Sequence, residues 1–113
     1  MTEEELLNGI IDQRRGLAPL LGWKTLHIRP GMVLKDGEVS YRTPVSGDGA
    51  GFPDLLLVRP PRIVIAELKS KKGEPSPEQT DWLDILSKVT HPPEVFLWRP
   101  SDINEIVDVL RHD

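Results

Sequence analysis

Residues 51–69 decide the reading of the chain: Gly51-Phe52-Pro53-Asp54-Leu55-Leu56-Leu57-Val58-Arg59-Pro60-Pro61-Arg62-Ile63-Val64-Ile65-Ala66-Glu67-Leu68-Lys69. Residues 55–58 and 63–66 are short apolar runs, and Arg59-Pro60-Pro61-Arg62 supplies the turn between them. A run apolar on both faces reads as a central strand, so the stretch is a hairpin inside a sheet. Such a strand has no structural use for a carboxylate and an amine at its end. Alternate residues of a strand share a face, so Glu67 and Lys69 project together while Leu68 turns inward. Asp54, at the other end of the hairpin, can close back on them. Two carboxylates and a lysine converging on one sheet edge read as a hydrolytic metal site. Mg²⁺ and Mn²⁺ prefer carboxylate oxygens and are held by few protein groups, keeping several waters.

The flanking residues carry a resemblance. Gly51-Phe52-Pro53-Asp54, then Glu67-Leu68-Lys69, then Pro77-Glu78-Gln79-x-x-Trp82 and the late Trp98-Arg99-Pro100-Ser101-Asp102 are similar to the signature of VRR-NUC domains. These are a branch of the PD-(D/E)XK nuclease superfamily, and many short stand-alone members are carried by phages. The resemblance covers residues 43–100 and extends more loosely to both ends. It implies a restriction-endonuclease-like α/β core, a central mixed sheet flanked by helices in αβββαβα order. It also implies that Asp54 and Glu67 hold Mg²⁺ or Mn²⁺ with the backbone carbonyl of Leu68 completing the shell. Lys69 would stabilise charge on the phosphate or orient the attacking water. Gln79 would belong to the site, holding Lys69 or a phosphate. The family pattern further places a first-helix glutamate near the metal. Glu5 is explained by a capping box and Glu4 lies on the polar side, so Glu3, which precedes Leu6, Leu7 and Ile10 on the inward face, is the choice. Thr43 and Asp48 fit the family's loop before the motif without an assigned role.

Each residue also has a plainer reading. Asp54 opens a strand after Pro53, Lys69 can simply pair with Glu67, and Gln79 occupies N3 of a helix start where its amide reaches back to Ser76. Lys71 and Lys72 read as solvated lysines or loose phosphate contacts.

Along the chain, Thr2 and Glu5 form a capping box that starts a helix at Glu3, with Leu6, Leu7, Ile10, Ile11 and Leu17 at helical spacing until Pro19 and Gly22 end it. Residues 23–29 read as a first strand. Residues 30–51 are Gly-rich and weakly patterned, with a short strand at 38–43, and are expected to be the most mobile segment. Ser76-Pro77-Glu78-Gln79 starts a second helix, with Trp82, Ile85, Leu86 and Val89 as its buried face. Pro92-Pro93 stops it, residues 94–98 form a further strand, and Ser101 caps a last helix with Ile103, Ile106, Val107 and Leu110 inward.

The 113 residues suit one domain, residues 1–113. Without cysteine there are neither disulfides nor thiolate metal sites. No run approaches the ~18 apolar residues of a membrane span and no signal peptide opens the chain, so a cytoplasmic protein is expected, in the host cytoplasm if phage-encoded. His27, His91 and His112 lack zinc-like spacing, and no phosphate-binding loop is visible, so no organic cofactor is expected. A net charge of −4 argues against a passive nucleic-acid binder, whereas a bound divalent cation offsets the carboxylates of a metal nuclease.

These residues together read as a metal-dependent endonuclease hydrolysing DNA phosphodiester bonds. No recognition-helix pattern is present, so shape and backbone would be read. The resemblance adds branched DNA, including four-way junctions, as substrate and a homodimer as the working form. A non-catalytic nucleic-acid-binding module with the same fold, and an RNA-directed nuclease, are the rivals. Asp54, Glu67 and Lys69 together disfavour the first, because a binder has no need of all three.

Overall fold

The structure is a computed structural model that describes residues 1–28 and 47–113, together with the backbone of Gly31–Lys35 and Glu38–Arg42. Its elements are helices α1 (Glu3–Ile11) and α2 (Leu17–Leu20), strands β1 (Lys24–His27), β2 (Gly31–Lys35), β3 (Glu38–Arg42), β4 (Leu55–Arg59) and β5 (Arg62–Leu68), helix α3 (Pro77–Ser87), strand β6 (Glu94–Trp98), a 3₁₀ turn (Pro100–Asp102) and helix α4 (Ile103–Arg111). Apart from α2 and the β2–β3 hairpin, the order is helix, three strands, helix, strand, helix.

The predicted hairpin forms as β4 and β5, joined through a cis Pro60–Pro61 peptide bond. It lies at the centre of a four-stranded sheet of order β1-β4-β5-β6. β1 and β4 are antiparallel and β5 and β6 parallel, so the sheet is mixed.

Register and alternation assign the faces. Leu55 and Leu57 pair with Ala66 and Val64, and Leu68 pairs with Trp98. These side chains share one face, buried under Leu6 and Ile10 of α1, Ala18 of α2, and Ile106 and Leu110 of α4. The C-terminus of α4 is tied to this layer: its Leu110 carbonyl accepts from Trp23 Nε1 at 2.9 Å and from Arg59 at 3.0 Å. Both donors go to one carbonyl of the kind that a helix end otherwise leaves unpaired.

The opposite face carries Leu26, Leu56, Val58, Ile63 and Ile65, with Asp54, Glu67 and Lys69 at one end. It is the less covered side: Leu26 is 52 % and Ile63 45 % exposed. The strand expected to be buried on both faces is so only from Val64 onward.

Four local expectations are corrected. The first helix does not run on to residue 17, because the Asp12 carboxylate accepts the N–H groups of Arg14 and Arg15 and folds a turn there. Gly16 closes that turn so tightly that a Cβ would lie 2.4 Å from the Asp12 carbonyl. No side chain of α3 is buried: Gln79, Trp82, Leu83 and Leu86 are half-buried, so the buried face expected of Trp82 and Leu86 is only partly covered. Ile85 is 44 % exposed, and Val89 lies beyond the helix end and is 51 % exposed. Ser101 does not cap the last helix: it sits inside the 3₁₀ turn, Asp102 occupies the N-cap, and the Asp102 carboxylate accepts the Arg99 N–H at 2.8 Å. Finally, β2 is a strand within a segment that showed little pattern, and it pairs with β3. The mobility expected of residues 30–51 falls largely outside the described residues, as does Thr43.

Candidate active site

Two sequence motifs form the two halves of one clamp. Gly51 has φ +82°, and a Cβ there would lie 2.7 Å from the Glu78 backbone carbon, so only glycine lets the loop press against the first turn of α3. Trp82 Nε1 donates to the carbonyls of Asp48 at 3.0 Å and Ala50 at 3.2 Å. Phe52 meets the Trp82 ring edge-on at 5.0 Å, and Pro53 is fully buried. Thus the Gly-Phe-Pro-Asp run is held against the Gln-x-x-Trp run, which sets Asp54 relative to Gln79.

Asp54 is fixed by its backbone and its side chain. Its carbonyl accepts the Ile28 N–H at 3.0 Å, and its Oδ2 accepts the Leu68 N–H at 2.9 Å. Glu67 is 1 % exposed, the one buried charged residue among those described. Its Oε1 accepts from Gln79 Nε2 at 3.2 Å and lies 4.0 Å from Lys69 Nζ. Its Oε2 is buried and meets no donor among the described residues. The Asp54 carboxyl lies within hydrogen-bonding reach of Glu67. Two carboxylates are both acceptors, so a proton or a cation must join them. Desolvation first, then contact with Asp54 and its charge, push the Glu67 carboxyl up to about 9; Lys69 opposes the rise and Glu3 adds to it.

The donor set fits a hard divalent cation: carboxylate oxygens, one without a donor, beside the Leu68 backbone that follows Glu67. Among the described residues no three His, Asp or Glu side chains converge into a metal-holding group. Asp54, Glu67 and the Leu68 backbone carbonyl are the groups that could hold such an ion, with waters filling the rest of its shell as Mg²⁺ favours.

The structure brings Asp54, Glu67, Leu68, Lys69 and Gln79 together. Glu3 lines, with Glu4, Leu7, His27, Asp54 and Leu68, a cleft of about 530 Å³ beside them. It acts on Glu67 through its charge but does not join the two carboxylates in a ligand group. Asp48 contributes its carbonyl to Trp82, and its side chain is exposed. The capping and site readings of Gln79 hold together, since Ser76 N–H donates to its Oε1 at 2.8 Å while Nε2 faces Glu67.

Sequence reasoning missed His27, which antiparallel pairing of β1 with β4 sets opposite Leu55, next to Asp54. A sequence without strand register carries no signal for that neighbour. It quoted Arg99 within the late motif but gave it no role; Arg99 follows Trp98, the β6 residue whose carbonyl accepts the Lys69 N–H at 3.0 Å. Comparison of the chain with protein-family models, curated proteins and solved structures returns no match.

Proposed function

We propose that this chain is a divalent-metal-dependent endonuclease that hydrolyses DNA phosphodiester bonds, on a restriction-endonuclease-like core. The observation that carries this reading is Glu67: a carboxyl 1 % exposed, with one oxygen that meets no donor among the described residues and a second carboxyl, Asp54, against it. A buried carboxyl kept for structure is met by donors, because an unpaired ionised carboxylate costs far more to desolvate than the roughly 2–7 kcal/mol of an unpaired neutral polar group. The resemblance of the Asp54, Glu67-Leu68-Lys69 and Gln79-x-x-Trp82 motifs to VRR-NUC domains supports the same conclusion.

Asp54 and Glu67, with the Leu68 carbonyl, would hold Mg²⁺ or Mn²⁺. Bound there, such an ion supplies positive charge beside the scissile phosphate and makes a water more acidic. The chain's own groups do the rest. The Leu68 N–H orients Asp54, and the Gln79 amide occupies Glu67 Oε1, leaving Oε2 without a donor among the described residues. Lys69 holds an ammonium group where negative charge grows as water adds to phosphorus and the bridging P–O bond breaks. The attacking water gives up a proton to solvent and the leaving oxygen takes one up from it, so that one water is consumed and the strand ends in a phosphate and a hydroxyl.

DNA is the proposed partner, read through backbone and shape, with branched DNA preferred. A 12.7 kDa chain carries one such site, whereas resolving a four-way junction requires paired cuts on opposing strands. A two-fold homodimer supplies sites related by the junction's own symmetry.

Incubating purified protein with labelled linear duplex, four-way DNA and RNA, each with Mg²⁺, Mn²⁺ or EDTA, tests the reading. Cleavage of DNA that needs the ion, is fastest on four-way DNA and vanishes in Asp54→Ala supports it. Binding without cleavage under every condition would leave the non-catalytic module, and cutting of RNA alone would change the substrate class. A strict monomer in light scattering, with no preference for branched DNA, would leave a nuclease that does not resolve junctions.

A further inference from the structure

Arg99 fixes the loop that follows the lysine of the site. Its Nη1 donates to the carbonyls of Ser70 at 2.8 Å and Gly73 at 2.5 Å, with that of Lys71 further off at 3.4 Å. The Gly73 N–H closes back on Ser70 Oγ at 3.0 Å. The guanidinium is mostly covered, its side chain 22 % exposed, and Glu74 lies 3.8 Å from it. The loop begins where Lys69 ends and leads to the Ser76 cap of α3, so both its ends belong to the candidate site.

Between those ends, Lys71 and Lys72 are exposed, and neither makes an ion pair among the described residues. Lysines displayed only for solubility gain nothing from an immobilised backbone. Lysines that meet a polyanion do, because ordering a loop on binding costs free energy that a loop ordered beforehand does not lose again. All three carbonyls are met by the single Nη1, while Nη2 lies 3.8 Å from Glu74. The other flank carries the opposite sign: Glu78, Asp81 and Asp84 are exposed along α3. In a chain of net charge −4, this asymmetry governs where a polyanion can approach.

We infer that the loop of residues 70–73, held by Arg99, is the phosphate-contacting edge of the site, so that nucleic acid enters over Lys71 and Lys72 and not over α3. This rests on the nuclease reading above. Arg99 is a positioning residue for the two lysines, which themselves meet the phosphates flanking the scissile bond.

The test is a gel-shift titration of labelled four-way DNA in EDTA, so that nothing is cut, over a series of salt concentrations. Each lost phosphate contact lowers the slope of log K against log salt by about 0.9. Lys71→Ala/Lys72→Ala should raise Kd about tenfold in ~0.1 M salt and lower that slope by about 1 to 2. Arg99→Met removes the donors that hold the loop but no phosphate contact, so Kd should rise with the slope unchanged. Arg14→Ala/Arg15→Ala removes the same charge beyond the far end of α1 from Glu3 and should leave both values at wild type. Equal effects of the two double variants would reduce the result to net charge and overturn the inference. So would an unchanged Kd and slope in Lys71→Ala/Lys72→Ala while the wild type binds and cuts DNA. A wild type that neither binds nor cuts nucleic acid would instead remove the nuclease reading beneath it.

Discussion

Gln79 donates its Nε2–H to Glu67 Oε1 at 3.2 Å while its own Oε1 accepts the Ser76 N–H at 2.8 Å. One amide thus closes the capping box of α3 and orients a buried carboxylate. Gln79→Ala should cost about 1 kcal/mol of stability through the cap and slow cleavage, less severely than loss of Asp54 or Lys69. Gln79→Glu keeps an acceptor for Ser76 but sets a carboxylate against Glu67, so it should slow cleavage with the cap intact. Melting curves and single-turnover rates for the pair separate the roles. A rate unchanged in both variants would leave Gln79 as a cap alone.

Gly51 gives a second handle on the same geometry. Its φ of +82° and the 2.7 Å approach of a built Cβ to Glu78 leave no room for a side chain. Gly51→Ala should destabilise by about 1–3 kcal/mol and also move the loop off α3, carrying Asp54 away from Glu67. Cleavage measured well below the melting temperature should therefore fall further than the folded fraction does. A loss of stability with full activity would show that the clamp does not set the position of Asp54.

The raised Glu67 carboxyl has a stability consequence with a definite sign. Below its ordinary value of 4.5 the group is protonated in folded and unfolded chains alike. Between 4.5 and about 9 the unfolded chain has released the proton and the folded chain still holds it. Stability of the metal-free protein should therefore fall as pH rises through that window. Glu67→Gln replaces the acid with a neutral amide of similar shape, so it should melt higher than wild type at about pH 8 and lose less stability over that window. It should also abolish cleavage. A wild type with the same pH profile as Glu67→Gln would mean that Glu67 is ionised in the folded chain at neutral pH.

What was legible in the chain was what is local. The apolar runs on either side of Arg59-Pro60-Pro61-Arg62 announce the hairpin, and Thr2-x-x-Glu5 and Ser76-x-x-Gln79 announce two helix starts. Alternation along β5 suffices to turn Glu67 and Lys69 to one face with Leu68 in the core. What escaped depends on partners distant in sequence. Ile85 has the spacing of a core residue, yet it remains exposed, because helical periodicity reports a face and not what covers it. The clamp of Gly51 and Phe52 on α3 is a contact between a loop and a helix that residue type alone does not pair. The two readings of Gln79 looked exclusive because a sequence assigns one role per position, whereas an amide has two ends.

Cation binding joins these points. An ion taken up by Asp54 and Glu67 must displace the proton that burial keeps on Glu67, so affinity should rise with pH, by up to about tenfold per unit below the Glu67 pKa. Millimolar Mn²⁺ should therefore raise the melting temperature more at about pH 8 than at about pH 6, by the linkage of ligand to the folded state. Asp54→Ala should remove the shift, though it also leaves the Leu68 N–H without its acceptor, a loss of roughly 1–3 kcal/mol. Glu67→Gln supplies the cleaner control, since it removes a ligand without opening a cavity. A Mn²⁺ shift that persists in both variants, or that ignores pH, would place the ion elsewhere, for example on the exposed acids of α3. Glu67 Oε2 would then be a buried oxygen that meets neither a cation nor, among the described residues, a donor.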